Sequence, residues 1–137
     1  MKILIVATDC QSGSAHYFSP KTSEEFFLQV RASAAVPYLH PKVLINGRKY
    51  AHGGLSDRLP VEKALADGYN EIVVVSNYSS REFVGRSWVD NAKVKIICSS
   101  VSSPLRWSFD SSEDRINQLV DLGISSAIGF IESQARR

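Results

Sequence analysis

The sequence predicts an α/β fold with a short, mostly parallel sheet, one β-hairpin and about four helices. Three near-continuous apolar runs carry that expectation: residues 1–8, residues 71–76 and residues 94–98. Runs of this kind suit strands covered on both faces, the usual condition of a parallel sheet. The second run follows a helical pattern, the order expected of an α/β fold. The pair Asn46-Gly47 after Val43-Leu44-Ile45 marks the hairpin, because a two-residue type I′ turn needs positive φ at both central residues.

Taken in order, residues 1–8 form the first strand, and Thr8 through Ser14 are turn-forming residues. Residues 15–18 are open to reading as a short returning strand. Thr22 followed by Glu25 is a capping-box pattern, so a helix opens there, with Phe27, Val30, Arg31 and Ala34 on one face. It runs to about Ala35, before Pro37 and Pro41 break the chain. After the hairpin, residues 60–66 form a short helix with Ala64 and Leu65 inward and Gly68 in the left-handed cap position. Residues 77–91, with Arg81, Arg86 and Trp88, read as a long loop or irregular helix. A serine-rich stretch at 99–103 leads to Trp107 and Phe109. Ser111 with Asp114 opens a helix whose inward face is Ile116, Leu119 and Val120, and Gly123 ends it. A last helix places Ile124, Ile128 and Ile131 on one face.

The 137 residues read as a single domain, 1–137, with no linker or internal repeat. Sixteen basic against fourteen acidic side chains give a net charge of +2 and no electrostatic case for a nucleic-acid partner. No run is long enough for a transmembrane segment, and the apolar start is too short for a signal peptide. Two cysteines, Cys10 and Cys98, are too few for a disulfide scaffold, which suggests a cytoplasmic protein. His16 and His40 lack partners at metal-ligand spacing, so no metal or other cofactor is expected.

Residues 43–60 concentrate the features from which a site can be built. The hairpin ends directly in His52-Gly53-Gly54, and a glycine pair after a strand lets the backbone approach a ligand or another piece of backbone. An ordinary connecting loop would have the same pattern.

Four segments in order resemble the patatin-like phospholipase family. They are Ala7-Thr8-Asp9 with Gly13 shortly after, Arg31 through Pro37, Ile45 through Tyr50, and Gly53-Gly54-Leu55-Ser56-Asp57-Arg58-Leu59-Pro60-Val61 leading to the apolar run at 72–75. The likeness covers roughly residues 3–77. It implies a partial patatin-like sandwich and a lipid acyl hydrolase that acts through a Ser–Asp dyad. In the family the serine lies in a G-x-S-x-G elbow, a strained strand-to-helix turn, and the aspartate opens an Asp-Gly-Gly loop. Gly53 and Gly54 match that loop, but His52 occupies the position of the acid. No G-x-S-x-G occurs in the chain, and Gly123-Ile124-Ser125-Ser126-Ala127, the nearest imitation, fits a helix boundary better.

The resemblance therefore implies that the chain corresponds to the family's C-terminal half, with no complete catalytic pair and no activity alone. Binding roles fall to Gly53, Gly54 and Asp57, the last placed to hydrogen-bond loop backbone. His52 is either a general base for a serine supplied by another polypeptide or a loop residue without catalytic duty. Asp9 reads as a turn cap. Three functions remain open: a hydrolase segment that meets a lipid or ester substrate when completed by an N-terminal half, a degenerate binding or interaction module, and a small-molecule- or nucleotide-binding α/β protein. The last lacks a phosphate-binding glycine fingerprint. A sheet this short leaves open edges, so self-association by edge pairing or exchange of an element is expected.

Overall fold

The computed structural model describes residues 2–76, 83–98 and 112–136. It contains two compact units, Met1–Pro60 and Val61–Arg137. The first holds the strands β1 (Ile5–Asp9), β2 (Ala15–Phe18), β3 (Val43–Ile45) and β4 (Arg48–His52), and the helix α1 (Ser23–Ser33). A single 3-10 turn, Gly53–Leu55, follows β4. The second unit holds the helix α2 (Val61–Ala66), the strands β5 (Ile72–Ser76) and β6 (Val94–Cys98), and the long helix α3 (Glu113–Ala135).

The first unit departs from the expected parallel arrangement. Its four strands run in the order β2-β1-β4-β3, and every pairing is antiparallel. The short Cys10–Ser14 connection from β1 to β2 permits only a hairpin, since parallel neighbours need a long crossover. β1 nevertheless reads as buried on both faces because it is: Ala7, Thr8 and Asp9 are all buried. Both α1 and the Gly53–Leu55 turn pack against it. Among the described residues only β5 and β6 are parallel, in a separate two-stranded sheet, with Ile72 opposite Val94 and Val75 opposite Ile97.

The hairpin forms as its sequence requires, with φ of 49° at Asn46 and 77° at Gly47. Register places Tyr50 between Asp9 and Val43, and His52 opposite Ala7. These residues share a face with Ile5, Phe18 and Ile45, and α1 packs on the sheet to complete a core that includes Ala32 and Ala35. Thr22 caps α1, its Oγ1 accepting the Glu25 amide at 3.2 Å. The inward face of α1 differs from expectation. Gln29 and Ala32 are buried, whereas Phe27 is 69% exposed, because the stripe that meets the sheet runs through a polar residue and a small one.

In the second unit Gly68 takes φ of 86° just beyond α2, and its amide donates to the Leu65 carbonyl. Of residues 77–91, positions 83–91 form turns that bury Phe83 and Trp88. Arg81, Trp107, Phe109 and Ser111 lie outside the described residues.

Two expected helices prove to be one, so three α-helices, not about four, are found among the described residues. Gly123 does not end α3. Ile116, Val120, Ile124, Ile128 and Ile131 keep an unbroken spacing of three or four across it, and the cost of one interior glycine, about 1 kcal/mol, is too small to stop such a helix. That apolar row is also not the inward one. All five residues are exposed, while Leu119, Leu122 and Phe130 are half-buried on the other side of a helix that contacts β6.

Candidate active-site loop

His52 closes β4, and the end of α1 receives it. Its backbone N–H donates to the Ala35 carbonyl at 2.9 Å, and its Nδ1 lies 2.6 Å from the Ser33 carbonyl oxygen. The ring is thereby fixed between the last turn of α1 and the glycines that follow. Neither Gly53 nor Gly54 has positive φ. Both are glycine for close approach. A Cβ on Gly53 would stand 2.2 Å from the Val6 carbonyl oxygen, and a Cβ on Gly54 would stand 2.7 Å from the Nε2 of His52.

The turn is tied to β1 from beneath. The Thr8 hydroxyl donates to the His52 carbonyl at 2.8 Å. It also lies 2.8 Å from the Ser56 hydroxyl. With the Thr8 proton on the His52 carbonyl, the Ser56 hydroxyl shares its own proton between Thr8 and the Gly53 carbonyl, 3.4 Å away. The Gly53 carbonyl accepts the amides of Ser56 and Asp57 at 3.1 and 3.0 Å. Asp57 thus bonds loop backbone through its own N–H. Its carboxylate instead accepts the Tyr17 hydroxyl at 2.6 Å, which binds the loop to β2.

Asp9 caps the turn after β1. One carboxylate oxygen accepts the amides of Gln11 and Ser12 at 2.8 and 3.2 Å, and the other accepts Arg48 at 2.9 Å. The Gln11 amide, then that of Ser12, with Arg48 adding to them, holds this carboxyl below its ordinary value against the opposing effect of burial.

The structure brings His52, Gly53, Gly54 and Asp57 into one loop, where the Ser56 hydroxyl bonds to Thr8 rather than to the imidazole. Among the described residues no serine hydroxyl is hydrogen-bonded to His52. Ser125 and Ser126 lie within α3, donating to the Asp121 and Leu122 carbonyls, so Gly123-Ile124-Ser125-Ser126-Ala127 is helix and no elbow. Among the described residues no group of three His, Cys, Asp or Glu side chains is placed to hold a metal ion. No helix among them is long and apolar enough to cross a membrane.

The sequence gives no warning of the parts played by Ser33, Thr8, Ser56 and Tyr17. Ser33 acts here through a backbone carbonyl, which leaves no signature in residue type. Thr8 and Tyr17 could have been suspected only with the antiparallel pairing in hand.

This loop lies within the part of the chain that matches known proteins. The patatin-like phospholipase family model matches residues 6–65, from β1 into α2. The matched region is the N-terminal part of this chain and is shorter than the resemblance at 3–77 suggested. The uncharacterized protein YjjU of Escherichia coli (strain K12) is 29% identical over 106 residues, covering 77% of this chain. The chain spans about a quarter of the length of that relative, 26%.

Proposed function

We propose that this chain is a segment of a patatin-like lipid acyl hydrolase that presents the acid-position loop to a nucleophile carried elsewhere. The observation that supports this most directly is the glycine turn after β4, inside the family match and packed against β1 at a distance only glycine allows. In this reading residues 1–137 are part of one catalytic domain and correspond to its C-terminal half. The serine and the oxyanion-binding backbone come from an N-terminal half, and the substrate is a lipid or simpler ester. Alone, the chain is inactive. His52 stands where the family places its aspartate, Gly53 and Gly54 shape the loop, and Asp57 anchors it. The unpaired thiols of Cys10 and Cys98 are compatible with a reducing cytoplasm as its location.

Co-expression with an upstream half that carries G-x-S-x-G, followed by assay on p-nitrophenyl butyrate, tests this. Hydrolysis by the pair and by neither part alone is expected; continued inactivity of the pair would count against it. The replacement of the acid by His52 favours one alternative, a non-catalytic binding module of the same fold. That module would unfold cooperatively on its own and stay inactive with any upstream half.

Self-association belongs to the same proposal. Val73 and Val75 are 47% and 72% exposed on β5, and a two-stranded parallel sheet is rarely stable without further cover. Sedimentation velocity at high concentration is expected to show dimers or larger species. A clean monomer would remove this part of the proposal.

A further inference from the structure

We infer that His52 is held as the Nδ1–H tautomer, with Nε2 as the proton-accepting atom of the loop and Ser33 as its positioning residue. The inference rests on the reading of the chain as a hydrolase segment, and it replaces that family's Ser–Asp pair with a serine–imidazole pair.

The tautomer follows from the partner. A backbone carbonyl only accepts hydrogen bonds, so the 2.6 Å contact between Nδ1 and the Ser33 oxygen requires the proton to sit on Nδ1. In neutral imidazole the other nitrogen is then an acceptor. Nε2 has no hydrogen bond among the described residues. It sits above the backbone of Gly54, in space that a Cβ would fill.

Orientation is fixed from both sides. The end of α1 grips Nδ1, and the bare Cα of Gly54 lets the opposite edge of the ring settle into place. An imidazole anchored through Nδ1, with Nε2 making no hydrogen bond among the described residues, is the arrangement a general base requires, with a backbone carbonyl here in the orienting role. Asp57 does not fill that role, because its carboxylate is engaged by Tyr17.

The chemistry balances without a further reactant. A serine hydroxyl from the upstream half gives its proton to Nε2 as its oxygen bonds to the ester carbonyl carbon. The bond from that carbon to the alcohol oxygen then breaks, and the departing alcohol takes the proton back from Nε2. Water repeats the sequence on the acyl-serine and releases the acid.

Two measurements test the inference. In the first, long-range 1H–15N correlation spectra of the 15N-labelled chain, recorded on the neutral imidazole, are expected to show His52 as the Nδ1–H tautomer. The Nε2–H form would overturn the inference. In the second, the chain is paired with an upstream half carrying G-x-S-x-G and assayed on p-nitrophenyl butyrate. His52→Gln is expected to lower hydrolysis by about 100-fold or more, the usual worth of a positioned base. His52→Asp, which restores the family's acid, is expected to retain activity. Undiminished activity in His52→Gln would overturn the inference while leaving the hydrolase reading intact. No hydrolysis by any pairing, His52→Asp included, would instead overturn the hydrolase reading, with the tautomer spectrum still deciding the state of His52.

Discussion

Gly53 packs so tightly on Val6 that a Cβ there would stand 2.2 Å from the Val6 carbonyl oxygen and 2.8 Å from its carbonyl carbon. The obstacle is the backbone of a central strand, which cannot yield without disturbing its pairing on both sides. Gly53→Ala is therefore expected to destabilise the fold by about 3 kcal/mol, at the upper end of overpacking costs. At Gly54 the obstacle is the far end of the His52 side chain, which can shift by stretching its bond to the Ser33 carbonyl rather than by moving backbone. Gly54→Ala should cost about 1 kcal/mol, within the range of an off-rotamer side chain. Urea unfolding of the two variants checks the contrast, and equal losses would contradict it.

Asp9 gives the fold a defined response to acid. Its carboxyl is held below the ordinary aspartate value of 3.8, chiefly by the Gln11 amide, next by that of Ser12, with help from Arg48. A group whose pKa is depressed by folding contributes stability in full above its unfolded-state value. That contribution is lost as pH falls through the folded-state value. Asp9→Asn is expected to lower the urea midpoint at neutral pH and to converge on the parent protein as pH drops through and below 3.8. Arg48→Gln should have the smaller effect, because that side chain is 63% exposed and the backbone amides remain. Urea midpoints measured across the acid range decide this; a constant gap between Asp9→Asn and the parent would contradict it.

The local signals in the sequence translate well where one residue type has one physical use. Asn46-Gly47, Thr22 and Gly68 each do in the structure what their chemistry requires, and β5 and β6 fall on the runs that announced them. Failures arise where cover comes from distant parts of the chain. The run that forms β1 looks like a parallel strand because both of its faces are hidden, yet a helix hides one and a glycine turn contributes to hiding the other. Gly53 and Gly54 signal a close approach but not its object, which proves to be Val6 and His52. The bond that orients His52 was not legible at all, since it ends on main chain. On α3 two apolar rows compete, and periodicity alone does not say which one faces β6.

Gln29 offers a test of the misread face of α1. It is 6% exposed, and its Oε1 is sealed from solvent without a hydrogen-bond partner among the described residues. An unsatisfied buried acceptor costs about 1–3 kcal/mol. Methionine has a similar length, bends freely and carries no group that needs a strong partner. Gln29→Met is expected to stabilise the protein by about 1 kcal/mol, the lower end of that range, because packing will not be perfect. Thermal and urea unfolding measure the change. A loss of stability would mean that the amide makes a compensating contact in solution.

Gly123 tests whether α3 is one helix or two. Nothing lies within 4 Å of the position its Cβ would take, and it sits between continuous helical turns. In that setting alanine removes backbone freedom from the unfolded chain and fills no occupied space. Gly123→Ala is expected to stabilise α3 by about 0.5–1 kcal/mol and to raise the helical signal in circular dichroism. Had Gly123 ended one helix as a left-handed cap, the same substitution would strain the backbone and destabilise the fold instead. The sign of the change separates the two structures. Ser125 and Ser126 give a second readout: both hydroxyls bond to carbonyls four residues back. That arrangement exists only if the helix is unbroken at Gly123, and slow amide exchange through residues 122–128 is expected to accompany it.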